Sequence, residues 1–231
     1  RLRRAIGENQ LRVYYQPQID IPSGRIVGAE ALVRWQDPER GLVPPIRFIP
    51  LAEETGLISA IGEWVLHETC RQGKVWFDAG LPPLTLAVNL SAHQLHHGDI
   101  VASVMQALHE TGFPAEWLEL ELTESALMQR ETEAVTILKH LRSLGLRLAM
   151  DDFGTGYSSL AYLKRFPLDV LKIDKSFVDD LPQQQDAMEI AATIIAMGHT
   201  LGFEVLAEGV ETREQLTFLQ VKGCDKYQGY L

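Results

Sequence analysis

The run Leu146-Arg147-Leu148-Ala149-Met150 ends abruptly in two adjacent carboxylates, Asp151 and Asp152, and the same arrangement recurs along the chain. Phe203 to Ala207 delivers Glu208, Leu84 to Val88 delivers Asn89, and Leu118-Glu119-Leu120-Glu121-Leu122 carries Glu121 at its C-terminal end. Such short apolar runs, each leading into a segment of helical period, read as buried parallel strands. Strands are therefore predicted at Val13 to Ile19, Arg25 to Trp35, Leu84 to Leu90, Leu118 to Leu122, Leu146 to Met150, Asp169 to Ile173, Phe203 to Ala207 and around Gln228. Helices are predicted at Ile58 to Ala79, Ile100 to Thr111, Glu131 to Leu144, Gln184 to Leu201 and Thr212 to Val221. An open doubly wound sheet shares this periodicity. About eight strands with polar residues repeatedly at the ends that lead into helices favour a TIM-type (β/α)8 barrel. The turn Pro22-Ser23-Gly24 is too short for a parallel crossover, so the expected barrel has an antiparallel first strand.

The chain has 231 residues, 46% of them hydrophobic, and reads as a single domain over 1–231. A formal charge of −10 excludes a broad basic surface for long nucleic acid. Cys70 and Cys224 are the only thiols, which fits a reducing compartment and excludes a cysteine-rich zinc module. Arg1-Leu2-Arg3-Arg4 opens a polar helical pattern rather than a signal peptide, and no run of 18 apolar residues exists. The expectation is a cytoplasmic domain, with any membrane anchor outside this segment. Arg1 to Gln10 reads as a helix entering from something upstream, so the chain is expected to be one piece of a longer signalling protein.

Charge in apolar surroundings needs a partner. Glu30 lies inside Val27-Gly28-Ala29-Glu30-Ala31-Leu32-Val33, where an unpaired carboxylate costs several kcal/mol, so it requires a cation or a proton. In residues 118–122 the period of two puts both glutamates on one face, the pattern also of a half-wet strand. Inside a barrel, Glu121 becomes a ligand candidate while Glu119, lower down, is structural. Asp151 and Asp152, pointing in divergent directions, can bridge two cations; helix capping and a turn would use the same residues. Lys172 sits within the apolar run Val170 to Ile173. Carboxylates plus the amide oxygen of Asn89, with no thiol, suit magnesium or manganese and disfavour zinc. Asn89-Leu90-Ser91 also matches a glycosylation sequon, which has no secretion signal to support it. His93, His96 and His97 read as solvated surface residues in a polar loop. Gly154-Thr155-Gly156 is a weak candidate for a backbone nest.

The motifs Tyr15-Gln16-Pro17, Glu30-Ala31-Leu32-Val33-Arg34-Trp35, Asn89-Leu90-Ser91, Glu121-Leu122-Thr123-Glu124-Ser125, Asp151-Asp152-Phe153-Gly154-Thr155-Gly156-Tyr157-Ser158-Ser159-Leu160, Lys172-Ile173-Asp174, Ala207-Glu208-Gly209-Val210-Glu211-Thr212 and Gln228-Gly229-Tyr230 come in one order. With them the chain resembles the EAL domain family, bacterial phosphodiesterases that open cyclic di-GMP to linear pGpG. The resemblance implies a barrel with an antiparallel first strand and two Mg2+ or Mn2+ ions at its C-terminal mouth. It implies Glu30, Asn89, Glu121 and Asp151 as ligands of one ion, with Asp151 bridging to a second held by Asp152 and Glu208. It further implies that Lys172 orients the attacking water, that Glu124 braces the Asp152 to Ser158 loop, and that Glu211 supports the site. Gln16, Arg34, Asp174 and Gln228 would contact phosphate or guanine. By family habit a homodimer and an upstream sensory or GGDEF-type domain in the same chain are expected.

Lys175 and Lys226 depart from the family's commoner residues, and the family usually continues past Gln228-Gly229-Tyr230 into a closing helix, which is expected to be missing here. The alternatives are a non-catalytic cyclic di-GMP receptor, the fate of members that lose ligands, and a glycosidase barrel. The second leaves Asn89, Lys172 and the adjacent aspartates unexplained.

Overall fold

The computed structural model describes residues 1–154 and 163–231. Its strands are β1 (Leu11–Asp20), β2 (Ile26–Asp37), β3 (Gly41–Val43), β4 (Thr85–Asn89), β5 (Leu118–Thr123), β6 (Arg147–Phe153), β7 (Val170–Ile173), β8 (Glu204–Val210) and β9 (Lys226–Gly229). All but β3 close into a barrel, β1 pairing antiparallel with both β2 and β9 while the neighbours from β2 through β4 to β9 run parallel. The antiparallel entry follows from the tight turn, where Asp20 accepts a hydrogen bond from the Ser23 amide at 2.8 Å and Gly24 takes φ of +66°. Short β3 extends the end of β2 as an edge.

Around the barrel the described helices are α1 (Leu2–Gly7), α2 (Pro45–Glu54), α3 (Leu57–Asp78), α4 (Ala92–His97), α5 (Ile100–Thr111), α6 (Glu124–Gln129), α7 (Glu131–Ser143), α8 (Gln185–Leu201) and α9 (Arg213–Val221). Leu118, Leu120 and Leu122 bury one face of β5 completely, and Leu138 and Leu141 of α7 are equally enclosed. The opposite, inward face is polar. Its lower layer is an ionic quartet in which Arg147 bonds Glu119 at 3.2 Å and also bonds Glu204, which in turn meets Lys226 Nζ at 3.0 Å. Two acids and two bases balance there, so Glu119 is structural, as its low position in the strand suggests. Burial still pushes the Glu119 carboxyl upward, against the pull of Arg147.

Of the strands and helices named above, four were not foreseen. β3, α4 and α6 are too short for periodicity to register, and α2 contains Pro45 and Pro50, a residue type that ordinarily interrupts helices. Pro45 is compatible with a helix because at the first position its missing N–H is not needed. Strands β6 and β8 also run further than predicted, to Phe153 and Val210, so the candidate ligands lie in their last residues rather than past them.

Where β8 and β9 meet, a Cβ added at Gly229 would lie 1.9 Å from the Val210 carbonyl oxygen. Gly229→Ala must therefore prise the strands apart and is expected to destabilise by at least the roughly 1–3 kcal/mol of ordinary overpacking, measured by urea unfolding. Among the described residues no helix is long and apolar enough to cross a membrane. Tyr157 to Leu160, Gly154-Thr155-Gly156 beyond its first residue, and most of the Asp152 to Ser158 loop lie outside the described residues.

Candidate active site

The barrel register brings the polar strand ends to one level: Gln16 opposite Glu30, Asn89 opposite Glu121, and Thr123 opposite Asp151. At their centre is Lys172, whose side chain is fully buried. Its Nζ lies 2.6 Å from Glu121 Oε2, 2.7 Å from Glu208 Oε1, 3.2 Å from Asp151 Oδ1 and 3.8 Å from Glu30 Oε2. Asn89 donates from Nδ2 to Glu30 Oε1 at 2.6 Å, leaving its amide oxygen as an acceptor. Gln228 donates to the other Glu30 oxygen at 2.5 Å and to Gln16 Oε1 at 3.0 Å.

Simple pleating would send Asp151 and Asp152 to opposite faces. Instead the β6 to β7 register slips between Met150 and Phe153, and Asp152 adopts φ of +55°, a left-handed conformation that aspartate tolerates better than most residues. One ligand atom each from Asp151, Asp152 and Glu208 lies within 4.8 Å of the others, close enough to share a cation.

The electrostatics of this cluster are unbalanced. Burial works against the Lys172 charge, yet Glu121, Glu30, Asp151 and Glu208 together hold its ammonium well above the usual lysine range. Burial pushes Glu121 well up, Lys172 opposes this, and Glu30 and Asp151 add to it. Glu208 is pushed up to about 7, by burial first. Asp152 is raised by burial and by neighbouring Asp151. Among the described residues four carboxylates thus face one ammonium, with the Asp152 carboxylate a fifth beside Asp151 and Glu208. Glu121 Oε1 and Gln228 Oε1 are buried without a hydrogen-bond partner among the described residues. An oxygen-rich donor set with an orphaned carboxylate oxygen and excess negative charge fits a hard divalent cation.

Residues 1–231 match the EAL domain family. The chain belongs to the EAL domain family. It is 47% identical over 230 residues to the bifunctional diguanylate cyclase/cyclic di-GMP phosphodiesterase MucR of Pseudomonas aeruginosa, a match covering 100% of this chain and 34% of that protein. It is 43% identical over 230 residues to the cyclic di-GMP phosphodiesterase PdeR of Escherichia coli, again covering 100% of this chain and 34% of the other. The EAL chain thus spans about a third of the length of these curated relatives. Among solved structures it is similar to the PaMucR phosphodiesterase in complex with c-di-GMP, with a TM-score of 0.96 and 47% identity over 100% of this chain and 93% of that one. The FimX EAL domain from Pseudomonas aeruginosa bound to c-di-GMP aligns with a TM-score of 0.91 at 28% identity, covering 99% of this chain and 92% of that one.

In this EAL domain the remaining predicted residues divide into four groups. Gln16 and Gln228 join the cluster through Glu30. Arg34 and Asp174 make local contacts instead: the Arg34 guanidinium lies 5.9 Å from the Tyr14 ring centre, and Asp174 Oδ1 accepts from the Ser176 amide at 3.0 Å. Buried Glu124 accepts from the Gly154 amide at 3.4 Å, at the start of the loop it is expected to brace. Glu211 stays outside the cluster, exposed and paired with Lys175 Nζ at 2.6 Å. The histidine reading needs correction, because His93, His96 and His97 belong to helix α4 and His96 is buried, its Nε2 2.9 Å from the Ala126 carbonyl oxygen. The Arg147 to Lys226 layer was not anticipated beyond Glu119. The signal for it was Arg147, an interior-facing cation by the period of two.

Proposed function

We propose that this EAL domain hydrolyses cyclic di-GMP to linear pGpG with two divalent ions, magnesium or manganese, in the cytoplasm. The observation that carries the reading is the convergence of Glu30, Glu121, Asp151 and Glu208 on Lys172 at the mouth of the barrel. With all five carboxylates ionised, as bound cations would make them, they exceed the one ammonium by four charges, which two divalent cations match. Glu30, Asn89, Glu121 and Asp151 would hold one ion, and Asp151, Asp152 and Glu208 the other. The chemistry that such ions supply when bound is a water acidic enough to ionise near neutral pH and neutralisation of charge building at phosphorus.

The chain's own groups do the rest. Lys172, fixed between Glu121 and Glu208, donates to the attacking oxygen and aims its lone pair along the line of the breaking bond. Because protein and substrate are both anionic, Arg34 supplies local attraction for a phosphate, while Gln16, Gln228 and Asp174 offer amide and carboxylate partners to phosphate and guanine edges. Glu124 accepts from the Gly154 amide where the loop after Asp152 begins, and Glu211 pairs with Lys175 and would support the site.

The test is an assay of purified protein with cyclic di-GMP, the product separated by ion-exchange chromatography. Hydrolysis to pGpG is expected with magnesium or manganese, none with excess chelator, and none from Glu30→Ala in either condition. Turnover that persists in chelator, or equal turnover by the variant, overturns the proposal; tight binding without turnover assigns the domain as a non-catalytic receptor. The same reading includes a homodimer, measured by sedimentation velocity, and coupling to a sensory or GGDEF-type domain in the same chain.

A further inference from the structure

Helix α4 presents two histidines that the proposed hydrolysis leaves unused. His93 and His97 are four residues apart, so they lie on one face one turn from each other. Their ring centres are 5.1 Å apart and the rings are inclined by 51°. Two imidazoles sharing a zinc ion, with zinc to nitrogen bonds of about 2.0–2.1 Å and a tetrahedral angle between them, have ring centres roughly 5 Å apart. The observed pair is already at that spacing.

Two further features prepare the pair. His93 Nδ1 lies 3.3 Å from Ser59 Oγ of α3, an arrangement that orients the ring and leaves Nε2 to ligate. The helix backbone is fixed by the capping box between Ser91 and Gln94, and the Gln94 side chain packs so closely on Gly62 of α3 that a Cβ there would lie 2.0 Å from its Nε2. His97 is exposed and His93 half-buried, while His96 points away into the interior.

We infer that His93 and His97 form a two-imidazole site for a borderline transition-metal dication, zinc foremost, with water or another ligand completing the coordination. Imidazole nitrogen ranks zinc, nickel and copper above magnesium, so this site is chemically separate from the oxygen-rich cluster. It lies on the segment that leaves the strand ending in Asn89, through the cap residue Ser91. The inference stands whether or not the domain hydrolyses cyclic di-GMP.

The test is calorimetric titration of the full chain with ZnCl2 in excess MgCl2. His93→Gln and His97→Gln are each expected to remove the same zinc-binding event, and Ser59→Ala to weaken it about tenfold. Circular dichroism confirms the fold of each variant. Copper(II) loaded at one equivalent should show electron paramagnetic coupling to two imidazole nitrogens. Zinc binding unchanged in both histidine variants overturns the inference, as does zinc binding lost instead on His67→Gln, His199→Gln or Asp152→Asn. Copper coupled to oxygen alone also overturns it.

Discussion

Replacing Lys172 with methionine is expected to lower the melting temperature of the chelator-treated protein sharply. Among the described residues Lys172 is the one cation within 4.0 Å of Glu30, Glu121, Asp151 and Glu208. Methionine fills nearly the same volume, so the change isolates the charge. Removing one partner from a buried ionic group costs about 3–5 kcal/mol because the other charges stay behind. In a domain of this size each kcal/mol moves the midpoint by about 2–4 °C. Added manganese, which binds only the folded state, should recover much of the loss by mass action. Hydrolysis should not recover, falling roughly 100-fold or more because the attacking oxygen is no longer aimed. Thermal melts with chelator and with manganese, beside the hydrolysis assay, check all three. Unchanged melting in chelator would show that the cluster does not depend on the lysine.

Glu208→Gln is expected to act with the opposite sign on stability while also removing activity. In the metal-free protein Glu208 is one of four carboxylates crowded around one ammonium, and burial already pushes its carboxyl up to about 7. Glutamine keeps the shape and can still accept a hydrogen bond from Lys172, which retains Glu121 at 2.6 Å and Asp151 at 3.2 Å. The repulsion falls, stability in chelator should rise by about 1–2 kcal/mol on the scale of relieved functional strain, and the melting temperature should rise with it, by about 2–4 °C per kcal/mol. Metal-dependent hydrolysis should drop by about two to three orders of magnitude, the usual loss when one stabilising group is removed from a charge-developing site. A variant less stable than the parent in chelator would refute the account of excess charge. Together the two substitutions separate a cluster built for stability from one built to hold cations.

The legible part of this site was what local sequence controls. An apolar run ending in a carboxylate is unusual enough to stand out, and Asp151, Glu208, Glu121 and Asn89 each announced themselves that way. Glu30 was visible because a charge among apolar neighbours demands compensation. The illegible part depended on neighbours distant in sequence. Nothing around Glu204 indicates that Arg147 and Lys226 will meet it, and nothing around His96 indicates that its ring turns inward to the Ala126 carbonyl. Short helices such as α4 and α6 escaped notice because six residues cannot establish a period of 3.6, and α2 because it carries prolines, which ordinarily interrupt helices.

By itself, the sequence determined the alternation of strands and helices, the antiparallel entry enforced by Pro22-Ser23-Gly24, the type of ligand on offer and the family. Those properties follow from side-chain periodicity, turn length and donor chemistry, which are local. Only the tertiary structure decided that Asp152 takes a left-handed conformation at a bulge, that Asp151, Asp152 and Glu208 bring ligand atoms within 4.8 Å of one another, and that four carboxylates surround Lys172. Closure of the barrel sets those distances, because hydrogen-bond register between strands far apart in sequence fixes which side chains share a level.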